Sequence, residues 1–397
     1  MSQVQTGIMR LRDEKELQGK FKGKIGLLCH SASIDENFKH ALEILLDTFP
    51  KQVVKVFGPQ HGFVTDVQDN MVETDHIIHP HFKLPIYSLY SETRIPTDQM
   101  LEGIDHLLID LQDVGTRIYT YIYTMTYILE KCASLDIEVV ILDRPNLIGL
   151  TKVEGNILDP KFASFVGRHP MPVRHGLTIA EVALMHQKYW SDSPCKLTII
   201  EMKNYNAKMI FSETKLPYVN PSPNLPTLEG CFTFVGSVLL EGTSISEGRG
   251  TTRSLEQIGH PCLDPWKMQS HFNELIKKSK IQGITLRPVH FHPMFQKHAH
   301  QACGGYFMHI TDNENFGPWR FMQIFVKEFK RLYPQHFSYK TDGYEYGGDL
   351  NPIDMINGTD RLRNWYEEDD FNAEFLEEIE NEGMENYLEQ KKSVSLY

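Results

Sequence analysis

The chain has 397 residues, of which 41% are hydrophobic and 23% are charged, values that are typical of folded globular proteins and exclude a disordered chain. Forty Lys and Arg against 52 Asp and Glu give a net charge of −12, which repels nucleic-acid phosphates and makes nucleic acid an unfavourable partner. The N-terminus has no hydrophobic leader and no stretch approaches the ~18 apolar residues of a membrane span, so we expect a cytoplasmic protein with no membrane partner.

Short apolar runs alternate with helical patterns through the first half of the chain. Buried strands are predicted at residues 25–29, 53–57, 107–109, 139–142 and 197–200. Helices are predicted at residues 41–49 and 118–132, and from Thr178, whose capping box with Glu181 opens a helix that runs to about Trp190. This alternation predicts an α/β fold with a Rossmann-like, doubly wound parallel sheet.

Repeated prolines at residues 217–230 (PYVNPSPNLPTLEG) mark a change of texture, because proline continues neither a helix nor a central strand. We therefore predict two domains. The first is the Rossmann-like N-terminal domain over residues 1–219, and the second is a smaller α+β domain over residues 220–397 with a helix at about 318–333. Two domains of this kind would enclose a cleft.

Polar segments follow three of the predicted strands, where ligands bind in sheets of this kind. They lie at residues 58–66 (GPQHGFVTD), 110–117 (DLQDVGTR) and 143–146 (DRPN). The chain has no GxGxxG, Walker A or HExxH motif, and its six cysteines include no CxxC pair. The sequence therefore predicts no metal and no organic cofactor.

Residues 239–253 (LLEGTSISEGRGTTR) hold two carboxylates, two arginines and three glycines. Glycine lets the backbone approach a substrate, and Glu241, Glu247, Arg249 and Arg253 would supply directional hydrogen bonds. This composition indicates a ligand-facing loop. The alternative is a surface loop in which the glutamates and arginines pair with one another.

Four further candidates follow predicted strands. His61 lies beside a glycine, where its ring could reach a cleft and titrate near neutral pH. Asp110, Asp113 and Arg117 would lie at one edge of the sheet, where carboxylates could stabilise a developing positive charge. The alternatives are that His61 is a structural hydrogen-bonding residue, that Asp113 caps a helix beginning near Gly115, and that Arg117 pairs with Asp113.

Aromatic residues at 119–127 open the predicted helix that follows the third strand. Sugar sites use aromatic faces, and Tyr119 is a candidate, although at this spacing most of these rings belong to a core. His175, just before the capped helix, would face either the cleft or solvent.

Ten segments occur in the order seen in the exo-β-N-acetylmuramidase family of glycoside hydrolases, and the chain resembles that family over residues 25–312. The matching segments are GPQHGF, PIYSLY, IDLQDVGTRIYTYIYTM, VILDRPN, VEGNILDP, SFVG, RHGLTIAE, PSPNLPT, LLEGTSISEGRGTTR and CGGYFMHITD. The resemblance implies an enzyme that releases N-acetylmuramic acid from the non-reducing ends of peptidoglycan fragments, with its active site between two domains. Asn224, within PSPNLPT, is implied as a substrate-binding residue.

The chain departs from the family at one important position. Many members have Glu where this chain has Gln60, although members with Gln also exist, and we therefore assign no acid role to Gln60. If the Glu at that position is catalytic in the family, this chain lacks it and would be impaired.

Glycosidic cleavage needs a proton donor and a group that stabilises or traps an oxocarbenium-like centre. The resemblance makes Glu247 or Glu241 the expected general acid, with Asp110 and Asp113 on the opposite side of the cleft. The 2-acetamido group of the substrate is a candidate nucleophile, with Asp113 orienting it. Arg249, Arg253 or Arg117 would bind the lactyl carboxylate, because a planar guanidinium can bind a carboxylate through two hydrogen bonds.

Two other functions remain open from the sequence. One is hydrolysis of a different amino-sugar derivative or amide, with His61 or His175 as the base. The other is a non-catalytic carbohydrate-binding protein of the same fold that lost the acid, an alternative that Gln60 leaves open.

Overall fold

The computed structural model describes residues 2–68, 71–370 and 372–397. Its larger sheet contains β1 (Ile25–Cys29), β2 (Val53–Gly58), β3 (Ile77–Ile78), β4 (Pro85–Ser88), β5 (His106–Asp110), β6 (Glu138–Leu142) and β7 (Leu197–Ile200). The order across the sheet is β3-β4-β2-β1-β5-β6-β7, and every pair is parallel except the pair of β3 and β4. The five predicted strands and their parallel sheet are confirmed, whereas the patterns did not predict β3 and β4.

Helices cover both faces of this sheet. They are α1 (Gly7–Asp13), α2 (Lys15–Gln18), α3 (Ala41–Thr48), α4 (Asp98–Leu101), α5 (Tyr121–Ala133) and α6 (Ile179–Met185), followed by a π-helical turn at His186–Trp190. Side chains alternate along each strand, so Leu27 and Leu108 join the core with α1 and α3. Leu28 and Ile109 join the core with α5 and α6 on the other face. Burial on both faces explains why these strands are continuous apolar runs.

The capping box predicted at α6 is confirmed. The Thr178 hydroxyl accepts the Glu181 backbone N–H at 3.2 Å, and the Glu181 carboxylate accepts the Thr178 N–H at 2.8 Å. The helix predicted to begin at residue 118 begins at Tyr121 instead, because Thr116 forms a β-bridge with Arg174 and the chain turns before the helix starts.

The second sheet has three antiparallel strands, β8 (Gln257–His260), β9 (Ile284–Phe291) and β10 (Cys303–Ile310), in the order β8-β10-β9. The helices of this half are α7 (Leu228–Ser237), α8 (Pro265–Lys278), α9 (Pro318–Leu332), α10 (Pro352–Asn357), α11 (Arg361–Glu367), α12 (Glu374–Asn381) and α13 (Met384–Lys392). Phe272 of α8 packs against Tyr306 of β10 and Phe325 of α9, with ring centroids 5.4 and 5.0 Å apart. This α+β arrangement confirms the predicted fold class.

The two sheets share one continuous apolar core. Its members include Ile122 of α5, Val235 of α7 and Phe325 of α9. The boundary predicted at residue 220 falls in the proline-rich connection between β7 and α7 and stays a prediction. Within the described residues, every helix is too short or too polar to cross a bilayer.

Candidate active site

A pocket of about 430 Å³ opens where loops from both sheets meet, and we call it the site pocket. The segments that follow β2 and β5 form one side, and residues 222–225, the loop at 239–253 and residues 344–345 form the other. Its polar lining side chains are Gln60, His61, Tyr119, Thr120, Ser222, Asn224, Glu241, Arg249, Tyr344 and Glu345.

Glu241 lies in a 3₁₀ turn at Val238–Gly242 that continues directly from α7. Its carboxylate accepts a hydrogen bond from Arg249 and another from the Tyr344 hydroxyl at 2.7 Å. Burial raises the pKa of Glu241, but Arg249, Tyr344 and Lys297 outweigh burial and hold the pKa below its ordinary value. Glu241 is therefore an ionised carboxylate at neutral pH.

Arg249 is held between two carboxylates and is itself buried. Besides binding Glu241, its Nε lies 3.3 Å from Glu247 Oε1. The flanking Gly248 and Gly250 have φ of +78° and +80°, which glycine adopts without strain. Arg249 Nη1 is buried without a hydrogen-bond partner in the described structure, so part of the donor capacity of the guanidinium is unused.

Glu247 lies outside the site pocket, on a neighbouring cleft of about 1090 Å³ that we call the outer cleft. Its carboxylate forms an ion pair with Lys297, whose ammonium also donates to the Leu240 and Ile245 carbonyls at 2.7 Å each. Glu241 and Tyr344 line both cavities. The two cavities therefore adjoin across this pair of side chains.

His61 occupies a left-handed backbone conformation, with φ of +69°, and its ring is buried at the site pocket. Its Nδ1 lies 2.8 Å from the Val67 carbonyl, which only accepts, so Nδ1 carries the proton. Its Nε2 lies 3.2 Å from the Ser222 hydroxyl. Burial lowers the pKa of His61 to about 4, so the ring is neutral at neutral pH.

Glu345 is a site-pocket residue that the sequence patterns did not single out. Its Oε1 accepts from Gln60 Nε2 at 2.9 Å, and its Oε2 accepts from the Tyr90 hydroxyl at 2.7 Å. Gln60 is fixed in turn, since its Oε1 accepts from the Thr120 hydroxyl at 2.6 Å. The residue lies in DGYEYGGD at 342–349, where glycines and acids are as dense as in the loop at 239–253, and this density was the available signal.

Models of the two parts of one protein family match almost the whole chain. The N-terminal part of the exo-β-N-acetylmuramidase NamZ matches residues 25–229, and the C-terminal part matches residues 232–397. The chain belongs to the exo-β-N-acetylmuramidase NamZ family. It is also 40% identical over 342 residues to the peptidoglycan β-N-acetylmuramidase NamZ of Bacillus subtilis, covering 86% of this chain and 80% of the relative.

Two crystal structures share the fold. Both are DUF1343 family proteins from Bacteroides fragilis, each 28% identical to this chain, with TM-scores of 0.88 and 0.76. In each case the match covers 100% of this chain and 99% of the other. The resemblance found in the sequence is therefore confirmed, and the NamZ family is a family of glycosidases.

Tyr119 and Asn224 lie at the site pocket of this NamZ-family protein, and their roles in substrate binding stay predictions. The Tyr119 hydroxyl donates to the Pro221 carbonyl at 2.8 Å, which leaves its ring as the surface available to a ligand. The Asn224 amide donates to the Gln68 carbonyl at 2.6 Å. Its side chain therefore helps to hold residues 68 and 224 together.

Asp110 does not line the site pocket. Its carboxylate is fully buried and receives two hydrogen bonds from Arg144, at 2.5 and 2.7 Å. The strand order reverses between β1 and β5, where a nucleotide crevice would lie, and this ion pair fills that position. The expectation that Asp110 is catalytic is therefore wrong. Asp110 belongs to a buried structural ion pair with Arg144.

Asp113 and His175 are also absent from the lining. Asp113 Oδ2 accepts the Gly115 N–H at 2.7 Å and lies 3.2 Å from His175 Nε2, while His175 Nδ1 accepts the Leu177 N–H at 3.2 Å. Asp113 therefore fixes a turn rather than capping a helix, and the geometry does not support its expected role of orienting a substrate amide.

Arg117 is fully buried and does not pair with Asp113. Its guanidinium donates to the carbonyls of Asn156, Met171, Ile356 and Asn357 at 2.8, 2.9, 3.2 and 2.8 Å. It joins the two halves of the protein instead of binding a ligand. Arg253 is 44% exposed and pairs with Glu256 at 2.8 Å, and it too lies outside the site pocket.

The NamZ-family site is built without a cluster of metal-binding side chains. Across residues 2–68, 71–370 and 372–397, no three His, Cys, Asp or Glu side chains converge as ligands would. The polar groups of the site pocket are carboxyl, amide, hydroxyl, guanidinium and imidazole groups.

Proposed function

We propose that this protein is an exo-acting β-N-acetylmuramidase that releases N-acetylmuramic acid from the non-reducing ends of peptidoglycan fragments. Membership of the NamZ family supports the reaction. The observation that carries the substrate assignment is the buried Arg249, whose Nη1 has no partner in the described structure. A buried cation with an unused N–H donor suits a sugar that carries a carboxylate.

N-acetylmuramic acid differs from N-acetylglucosamine by its lactyl group, and we assign the lactyl carboxylate to Arg249. Lys297 neutralises Glu247, so Glu241 is the main ionic partner that Arg249 retains. Three arginines were candidates for binding the lactyl carboxylate, and Arg249 is the one among them that lines the site pocket. Arg117 donates its hydrogen bonds to backbone carbonyls, and Arg253 lies outside the pocket. Recognition of the lactyl group therefore rests on Arg249.

Glu241 takes the part of the fixed anion in this proposal. Its ion pair with Arg249 keeps it charged, which opposes the role of proton donor that the sequence suggested. A carboxylate that stays ionised at the site pocket stabilises positive charge developing at the anomeric carbon. It also replaces Asp113 as the group that accepts the 2-acetamido N–H and so orients the amide for attack.

The outer cleft accepts the rest of the peptidoglycan fragment, because it adjoins the site pocket across Glu241 and Tyr344. The predicted cytoplasmic location stays a prediction.

The test compares the nitrophenyl β-glycosides of N-acetylmuramic acid and N-acetylglucosamine with purified protein. We expect kcat/KM for the first to exceed that for the second by about ten- to a hundred-fold, since one charge-assisted pair contributes about 1.5–3 kcal/mol. Equal turnover of the two glycosides would overturn the assignment of the substrate. Binding of N-acetylmuramic acid without turnover of any glycoside would instead identify a carbohydrate-binding protein.

A further inference from the structure

The carboxyl group of Glu345 lies in surroundings opposite to those of Glu241. Glu345 is 2% exposed, and its two oxygens face neutral donors, the Gln60 amide and the Tyr90 hydroxyl. No lysine, arginine or histidine in the described residues lies within ion-pair distance of it. Two carboxyl groups therefore line one pocket, one paired with a cation and one without.

The charged and titratable groups around Glu345 come from several segments. They are Tyr90 after β4, His61 after β2, Glu241 in the 3₁₀ turn, Arg249 in the glycine-rich loop, and Tyr344 and Tyr346 beside it in the chain. Burial raises the pKa of Glu345 to about 7, and the Glu241 charge acts in the same direction. Tyr90, Gln60 and Arg249 act against this rise but do not cancel it.

The backbone that carries Glu345 is strained. Glu345 and Tyr346 have φ of +42° and +60°, a conformation that costs about 1–2 kcal/mol for each residue without glycine's freedom. Side-chain contacts hold this turn, since Tyr344 binds Glu241 and the Tyr346 hydroxyl donates to Glu73 at 2.9 Å. The strained turn directs the Glu345 carboxyl into the site pocket.

We propose that Glu345 is the general acid of the hydrolysis and that Gln60 is the positioning residue that holds it. This inference rests on the proposed glycosidase function. The Thr120 hydroxyl fixes the Gln60 amide so that its N–H faces Glu345, which supports the carboxyl without adding a second ionisable group. Glu345 and Glu241 follow the general pattern of two carboxyl groups that differ in protonation state because their environments differ.

In this step the Glu345 O–H bond breaks and its proton passes to the glycosidic oxygen. The bond from the anomeric carbon to that oxygen breaks, and its electron pair stays with the leaving sugar. Attack on the anomeric carbon, with water as the final source of the new hydroxyl, completes the exchange, and the proton that water releases restores the Glu345 carboxyl. The net reaction consumes one glycoside and one water and yields two sugars.

The test uses Glu345→Gln on two substrates, a disaccharide with N-acetylmuramic acid at its non-reducing end and the nitrophenyl glycoside of the same sugar. We expect kcat on the disaccharide to fall about 10²- to 10⁴-fold with KM nearly unchanged. The nitrophenyl glycoside needs little protonation, so its kcat should fall at least about tenfold less. Equal losses on both substrates, or no loss, would overturn the proposal.

The wild-type pH profile gives a reading that needs no variant. A protonated acid is required, so kcat on the disaccharide should decline as pH rises through about 7. In Gln60→Glu a second carboxyl faces Glu345, and the alkaline limb should move to higher pH by about one unit or more. An alkaline limb that Gln60→Glu does not move would remove Gln60 from the positioning role.

Glu154→Gln is the matched control, because Glu154 is also buried with a pKa raised by burial to about 7 but lies away from the site pocket. Its carboxylate accepts the Trp319 and Arg320 N–H groups at the start of α9. The ratio of kcat between the two substrates should remain that of the wild type. If the wild type cleaves neither substrate, the proposed function fails; if it cleaves both and Glu345→Gln does too, only the role of Glu345 fails.

Discussion

Replacement of Arg117 by Met separates a structural role from a ligand-binding one. Each of the four hydrogen bonds to carbonyls involves a charged donor and contributes about 1.5–3 kcal/mol. Burial lowers the pKa of Arg117 to about 10, which corresponds to roughly 3 kcal/mol against the charged form. The hydrogen bonds exceed this cost, so Arg117→Met should lower the free energy of unfolding by about 4 kcal/mol.

For a chain of 397 residues this loss corresponds to a fall in Tm of about 5 °C by calorimetry or fluorescence. KM for N-acetylmuramic acid glycosides should stay within about twofold below the transition, since Arg117 lies outside the site pocket. Arg253→Met is the control, because Arg253 is half-exposed and its pair with Glu256 should contribute under about 1 kcal/mol. A large rise in KM with an unchanged Tm would refute the structural role of Arg117.

Three further predictions concern Arg249, Asp143 and Gly250. Arg249→Lys keeps the charge beside Glu241 but loses the forked N–H edge of the guanidinium. The ratio of kcat/KM between N-acetylmuramic acid and N-acetylglucosamine glycosides should therefore fall about tenfold, and an unchanged ratio would contradict the lactyl assignment. Burial raises the pKa of Asp143 from 3.8 to about 7, so stability falls as pH rises from about 3.8 to about 7, where the folded state keeps a proton that the unfolded state loses. Asp143→Asn should reduce the fall in Tm across that range, and an identical fall would count against the shift. In Gly250→Ala the new Cβ would lie 2.8 Å from the Met294 nitrogen at a φ of +80°, so kcat/KM should fall at least about tenfold with unchanged circular dichroism, and full activity would show that the loop adapts.

Local patterns predicted the elements whose burial is regular. The five predicted strands are apolar runs, and Thr178 with Glu181 marks a helix start through two reciprocal hydrogen bonds. The edge strand β3 has two exposed residues, and β4 begins with Pro85, so neither carries the signal of a buried strand. Sequence patterns therefore fail at the margin of the sheet.

The sequence predicted those site residues whose place in the pocket follows from their position in a loop or after a strand. The glycine-rich loop placed Glu241 and Arg249 at the site pocket, and the turn after β2 placed His61 there. The rule that ligands bind at the carboxyl edge also led to Asp110, but it specifies a place and not a partner, and Arg144 occupies that carboxylate. Glu345 depends on contacts with Gln60 and Tyr90 across 285 and 255 residues, which no local pattern reveals.

Cleavage of two isomeric disaccharides tests the central claim most directly. The enzyme should release both sugars from β-linked N-acetylmuramic acid–N-acetylglucosamine, in which N-acetylmuramic acid is at the non-reducing end and its lactyl carboxylate can reach Arg249. It should leave the isomer with N-acetylglucosamine at the non-reducing end intact, because that sugar offers Arg249 no carboxylate. Products quantified by mass spectrometry that show comparable cleavage of both isomers, or of neither, would contradict the account.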